Sequence, residues 1–396
     1  MSTITIVGGV YHERCIWPSW DQIVGSGGRA AATLRGHVRS ISLHSYATSE
    51  VVTAIQPFVQ NAGFSFHPTK SSQTLSFEYV HCLSIPSINP APNRIRRNPP
   101  IELRAPNVLR FGMMEGTAIV NAKRCVYDPQ SAFDPEQFEA NGSFAESLAI
   151  VGNRNEISSL GGKRDPIAAA DVLIRRGAKV VVVKAGAHGA HVIQAKKRQL
   201  VPAFDSGDVW TIGSGDIFAA VFAACWMIRR YTPYRSALIA SRAVAIYAGS
   251  MSLPTPSVRQ LEAKRMTGVV SRKDRVYLAG PFFTVAQRWL VDEARRCLQE
   301  LGAKVFSPVH DVGHGPAAEV ARADLAALDK CDQVFAILDG LDSGTIFEVG
   351  YATALKKPVY AFAQTVSTED LKMVVGSGCT VCSDFVTALH RAAWRS

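Results

Sequence analysis

Short apolar runs alternate with amphipathic stretches along almost the whole chain. Thr3–Gly9 (TITIVGG) reads as a buried strand ending in a glycine turn, and Gly25–Leu34 (GSGGRAAATL) as a small-residue helix behind a glycine loop. SISLHSYAT predicts a second strand, and VVTAIQPFVQNAG a helix closed by Gly63. LSFEYVHCLSI, NVLRFG, RCVYDP and SLAIVGN continue the strands. Asp165–Gly177 (DPIAAADVLIRRG) has a capping Asp, Pro at the first helical position and Gly at the end. KVVVVKAG is an unbroken apolar strand, the pattern of a parallel sheet covered on both faces. IFAAVFAACWMIRR and SALIASRAVAIYAG predict two more helices. A charged stretch at Ser252–Arg275, with Pro254 and Pro256 and a short helix at 258–266, reads as a boundary.

Beyond it the alternation restarts at RVYLAG. The helix 285–301 places Val285, Trp289, Ala294, Leu298 and Leu301 near one face, with Gly302 closing it. KVFSPV, QVFAIL and PVYAFA predict strands of a smaller parallel sheet. His310 and His314 fall in a loop, and Ser367–Ser396 reads as helix, CxxC turn and helix. The expected organisation is two doubly wound α/β domains, 1–256 and 275–396, joined by a linker at 257–274.

At 396 residues the chain is long enough for two cores, and 47% hydrophobic content fits a globular protein. No apolar run approaches the ~18 residues of a membrane span, and the start, MSTITIVGGV, lacks the features of a signal peptide. The eight scattered cysteines read as reduced thiols, so a cytoplasmic protein is expected. Cys379 and Cys382 form a single CxxC, which without a second pair reads as structural. The net charge of +10 favours anionic ligands such as nucleotides. It sits in short clusters at 93–97, 196–198, 229–230 and 264–275. With no recognition-helix or zinc-finger pattern, a solvated basic surface explains it better than nucleic-acid binding.

The first candidate chemistry is DSGTIFEVGYA, Asp342–Ala352, which follows the apolar run QVFAIL through a turn rich in Gly and Asp. Carboxylates are thereby delivered to the carboxyl end of a strand, where open α/β sheets bind ligands. Asp342 and Glu348 are six residues apart, too far to share a helix face, but a loop Asp and a first-turns Glu can face one crevice. Two carboxylates in one crevice suit glycosidic chemistry. The alternative is a capping loop, with Asp342 or Ser343 at a helix start. Residues 275–364 resemble the nucleoside 2-deoxyribosyltransferase family, which includes nucleotide N-glycoside hydrolases. The matching pieces are YLAGPFF (Tyr277–Phe283), ARADLAALDKCD (Ala321–Asp332), DSGT (Asp342–Thr345) and EVGYA (Glu348–Ala352). The resemblance implies a flavodoxin- or Rossmann-like fold in which Glu348 attacks the anomeric carbon. It implies that Asp342 helps protonate the base and binds sugar hydroxyls, and that Asp324 contacts the base. Tyr277 would orient Glu348, and Gly280, Ser343 and Gly344 would offer backbone donors near sugar or phosphate. It implies no cofactor for this domain.

The second is TIGSGDIFAA, Thr211–Ala220, a glycine loop opening a helix. Its glycines let backbone amides approach negative charge, and the helix dipole adds attraction. With NRNE (Asn153–Glu156), KAGAHGAHV (Lys184–Val192) and YDPQ (Tyr127–Gln130), it resembles the ribokinase-like (PfkB) family of sugar and nucleoside kinases across residues 3–256. The resemblance implies a ribokinase-like fold that uses ATP and magnesium. Gly213, Ser214 and Gly215 would cradle phosphate, Asp216 would take the acceptor's proton, and Asn153 and Glu156 would organise magnesium indirectly. Gly27, Gly28 and Glu13 would lie at the acceptor. The chain departs from the family at Glu13, where Asp is usual, at Ala32, where Asn is usual, and at Trp210-Thr211-Ile212, where Asp-Thr precedes the loop. The stretch between Glu13 and Gly27 is too short for a long β-lid.

The expected function is cleavage or transfer of an N-glycosidic bond, fused to an ATP-dependent nucleoside or sugar kinase. Its partners are a nucleoside or nucleotide and ATP, and members of both families self-associate, so a homo-oligomer is expected. One alternative makes the kinase-like domain a nucleotide sensor controlling a nucleotide- or NAD-depleting glycosidase in phage defence. Another is a basic nucleic-acid scaffold.

Overall fold

The computed structural model describes residues 3–131, 134–271 and 274–395. Met1, Ser2, Ala132, Phe133, Ser396 and the linker residues Arg272 and Lys273 lie outside them. The chain divides into two compact units, Met1–Gly268 and Val269–Ser396. The segment expected to start a linker is instead part of the first unit. Val258–Ala263 forms a helix, Val258 and Leu261 are buried, and Arg242 Nη1 donates to the carbonyls of Leu261 and Glu262.

Among the described residues, the first unit is built on a nine-stranded sheet. Its parallel part runs, in spatial order, Ser65–Lys70, Ser40–Ala47, Thr3–Val7, Ile101–Phe111, Ala118–Asp128, Phe144–Asn153 and Val180–Lys184. Ala190–Gln194 and Lys197–Val201 complete it as antiparallel edge strands. All five residues of TITIV except the first are buried, as are the four valines of VVVVK, as two-sided coverage demands. The register puts Phe111 opposite Asp128 and Asn153 opposite Lys184, so three strands present polar termini at one sheet end.

A correction concerns the lid. The His12–Trp17 and Trp20–Ile23 hairpin is short, but Ser76–His81 and Ser87–Asn89 join it to make a four-stranded accessory sheet. Its strands come from two distant segments, so the hairpin's own length does not limit it.

The second unit is a five-stranded parallel sheet in the order Lys304–Phe306, Arg275–Ala279, Gln333–Ile337, Val359–Phe362, Thr380–Cys382. In chain order this is 2-1-3-4-5, the flavodoxin-like doubly wound order. Its ligand crevice falls where the direction of winding reverses, between the first and third strands. Three local expectations change. Cys382 ends a strand rather than sitting in a turn, because Thr380–Cys382 pairs with Tyr360–Phe362; the CxxC cysteines form no disulfide. His310 lies in the one-turn helix Pro308–Asp311, tied to Ser307 Oγ at 2.9 Å and Asp292 Oδ1 at 2.8 Å. On the helix Val285–Glu300 the buried stripe is Val291, Ala294, Cys297 and Leu298, while Val285 is 89% and Trp289 48% exposed. Helical spacing locates a stripe, but only the neighbouring strand and helix decide how far along it is covered. No helix among the described residues is long and apolar enough to cross a membrane.

Candidate active site

In the second unit, Tyr277 sits on the first strand of the sheet and Glu348 on the helix Ser343–Ala354, which follows the third. Both therefore flank the winding reversal. Tyr277 is fully buried, and its hydroxyl donates to Glu348 Oε1 at 2.5 Å. Burial pushes the Glu348 carboxyl up to about 7; the Tyr277 hydrogen bond opposes the shift, and Asp324 and Asp342 add to it. Asp324, on the helix Ala317–Lys330, is raised by burial, and its Oδ1 is buried with no hydrogen-bond partner. Two carboxylates thus act on a third that is bonded to a tyrosine hydroxyl, the kind of crowding that poises groups for proton and nucleophile work.

Asp342 is the N-cap of the Glu348 helix. Its Oδ2 accepts from Thr345 N at 2.7 Å and from Thr345 Oγ1 at 2.8 Å. The capping alternative is therefore realised, and the same cap holds this carboxylate within electrostatic range of Glu348. Ser343 and Gly344 form the first exposed turn; a Cβ on Gly344 would come within 3.2 Å of Asp342 Oδ2. At Gly280 a Cβ would press on Ile337 and Val291, both at 3.2 Å, so this glycine also serves close packing at the strand's end.

In the first unit, Asp216 lies in the first turn of the helix Ser214–Ala223, whose N-cap Gly213 has φ +79°. Its carboxylate is already engaged twice, by Arg29 Nη1 on Oδ2 and by Gln130 Nε2 on Oδ1, each at 2.7 Å. Arg29, only 1% exposed, also pairs through Nη2 with the buried Glu13. Glu13 lies on the accessory strand His12–Trp17, and burial raises its carboxyl despite Arg29. A Cβ on Gly213 would meet Arg29 Nε at 2.2 Å, so the guanidinium lies against the glycine loop. Gly27 and Gly28 are buried, and Gly27 N–H donates to Gly9 O. A Cβ on Gly27 would strike Gly8 O at 2.8 Å, so this glycine permits the close packing of its helix against Gly8.

Asn153 and Glu156 form a reciprocal capping box on the helix Arg154–Gly161. Beside them Lys184 Nζ pairs with Asp128 Oδ2 at 2.6 Å. Burial pushes Asp128 up to about 7 against the pull of Lys184, and its Oδ1 is buried without a partner. An orphaned carboxylate oxygen near Glu156 suits a hard cation that keeps its waters. Arg29 was not singled out from the sequence, and Asp128 and Gln130 were read only as part of YDPQ, without a role. The available signal was a lone arginine inside an otherwise small and apolar helix, GSGGRAAATL.

Two doubly wound α/β units, each with acidic side chains at the carboxyl ends of its strands, define the class. Family models match part of each unit. Residues 122–257 match the pfkB family carbohydrate kinase, and residues 276–381 match nucleoside 2-deoxyribosyltransferase. The chain aligns with Arabidopsis thaliana ribokinase, solved with ribose and ATP, at TM-score 0.51 and 16% identity, covering 67% of this chain and 99% of that one. With a Methanocaldococcus jannaschii nucleoside kinase the TM-score is 0.50 at 13% identity, covering 66% and 97%. Both show the ribokinase-like fold. An uncharacterized protein of Ureaplasma parvum serovar 3 is 29% identical over 106 residues, spanning 23% of this chain and 66% of the relative's length.

Proposed function

We propose that the second unit cleaves or transfers the N-glycosidic bond of a nucleoside or nucleotide, with Glu348 as nucleophile. The observation that carries this reading is the Tyr277–Glu348 hydrogen bond within a half-buried acidic cluster at the winding reversal. Glu348 Oε would attack C1′ as the bond to the base breaks, giving a sugar ester that water or a second base resolves. Asp324, raised by burial, is suited to hand a proton to the departing base. Asp342 would bind sugar hydroxyls and support that protonation, while Gly280, Ser343 and Gly344 would place sugar or phosphate. Incubating the protein with nucleosides, nucleoside monophosphates and NAD, with and without ATP, and resolving free base by chromatography tests this. No base released from any of them would end the reading. Release that depends on ATP would favour the sensor–effector arrangement, in which NAD or nucleotides are depleted on command.

The pH dependence follows from the carboxyl's shift. Glu348 attacks only as the carboxylate, so kcat/KM should rise with pH and level off above about 7. Tyr277→Phe removes the hydrogen bond that lowers this value. The ascending limb should move to higher pH by roughly one unit, with a rate loss of about 10-fold at pH 6. Asp324→Asn removes a neighbouring negative charge and should move the limb to lower pH. A limb unmoved by both variants would mean that Glu348 does not set it.

For the first unit the proposal is an ATP- and magnesium-binding ribokinase-like module. Asp128 and Glu156, with Asn153 at the same helix start, would hold magnesium through water, and the ion would offset polyphosphate charge. Phosphorylation of a nucleoside or sugar here would need Asp216 to receive the acceptor's proton. Self-association is part of the proposal. In the second unit Phe283, Val285, Phe347 and Met373 are each more than half exposed, and sedimentation would show whether two copies cover them.

A further inference from the structure

We propose that Arg29 plugs the acceptor subsite of the first unit, so that this unit binds a nucleotide without passing its terminal phosphate to a sugar or nucleoside. The inference rests on the ATP-binding reading of that unit. A phosphoryl acceptor has to bring a hydroxyl between the helix N-terminus at Gly213–Gly215 and the carboxylate of Asp216. In this chain both carboxylate oxygens of Asp216 already accept from protein donors, Arg29 Nη1 and Gln130 Nε2. Neither donor gives up its proton at ordinary pH. The Arg29 side chain rests on Gly213 itself, in the volume a Cβ there would take. Its far edge is held by Glu13, the residue expected to bind acceptor hydroxyls. The cation and both carboxylates are buried, Arg29 to 1%, Glu13 to 2% and Asp216 to 5% exposure. Tyr11 and Tyr79 lie within electrostatic reach of the same three groups. A guanidinium between two carboxylates has the charge and hydrogen-bonding capacity to satisfy both, which leaves no role for an acceptor's hydroxyls.

Opening the plug should restore the missing step. In Arg29→Ser, an acceptor O–H would give its proton to Asp216, its oxygen would bond to the γ-phosphorus, and the bond from that phosphorus to the bridging oxygen would break, releasing ADP. The test compares wild type, Arg29→Ser and Arg29→Ser/Asp216→Asn. ATP binding is followed by calorimetry, and ADP formation over a panel of nucleosides, nucleoside monophosphates and pentoses. Wild type should bind ATP and show no acceptor-dependent ADP. Arg29→Ser should exceed wild type at least tenfold with one or more acceptors, and the double variant should lose the gain. Acceptor phosphorylation by wild type overturns the plug, as does a folded, ATP-binding Arg29→Ser that stays silent. If Arg29→Ser does not melt cooperatively, Arg29→Gln takes its place. The lock is also read without ATP. About 10 mM guanidinium chloride, against sodium chloride, should raise the melting temperature of the variant and not of wild type. No rise overturns the lock, whereas a rise without ATP binding in wild type leaves the lock and removes the nucleotide reading.

Discussion

Glu348→Gln is expected to abolish base release, by about 10⁴-fold or more, while making the protein more stable at pH 8. The first half follows from the proposed role as nucleophile. An amide oxygen cannot form the sugar ester, and loss of a covalent nucleophile removes the pathway rather than slowing one step. The second half follows from burial. In the folded protein the carboxyl is pushed up to about 7, while in the unfolded chain it ionises near 4.5. Between those pH values the folded state holds a proton that the unfolded state has released, so stability falls as pH rises through this window and stays low above it. Glutamine can still accept the Tyr277 hydroxyl's hydrogen bond and carries no charge to desolvate. The variant should therefore gain about 1–3 kcal/mol at pH 8, and the gain should vanish by pH 4. Urea unfolding at the two pH values, beside the chromatographic assay, separates this from a damaged fold. A variant that is inactive but no more stable at pH 8 would mean that Glu348 is not held against its ionisation.

This trade of stability for a poised carboxyl shows what can be read along a chain and what cannot. The strand–loop–helix around Asp342 and Glu348 was legible because the apolar run, the cap and the small residues are contiguous. So was the placement of Tyr277 within a buried strand. Two kinds of feature were not. Val285 and Trp289 share the helical period of the buried stripe, yet lie beyond the elements that cover it. The accessory sheet and the Arg29 cluster depend on pairing across distance. Arg29 meets Glu13 at a separation of 16 residues and Asp216 at 187. Periodicity carries no information at that range, and a glycine loop followed by an aspartate reads the same whether its base is bare or paired. The glycine loop and small-residue helix of GSGGRAAATL were legible, but the close approach of Gly27 to Gly8 O was not.

The second large effect tests that paired state by thermodynamics alone. Arg29→Met should destabilise the first unit by about 3–5 kcal/mol, because it strands Glu13 and Asp216 as neighbouring buried carboxylates without their shared counter-ion. Exposed ion pairs contribute far less, so a loss of this size is itself diagnostic of burial. The triple variant Glu13→Gln/Arg29→Met/Asp216→Asn removes the charges together. A buried ionic cluster replaced by neutral groups of similar volume is often neutral or stabilising, since the desolvation of three charges disappears along with their attraction. The triple variant should therefore recover most of the loss. Urea unfolding of the four proteins — wild type, Arg29→Met, the carboxylate pair Glu13→Gln/Asp216→Asn and the triple — completes the cycle, and its coupling should exceed about 2 kcal/mol. Additive effects would mean that the guanidinium is not bound by the two carboxylates. Coupling of that size would place Arg29 as the internal counter-ion around which this unit's glycine loop is packed.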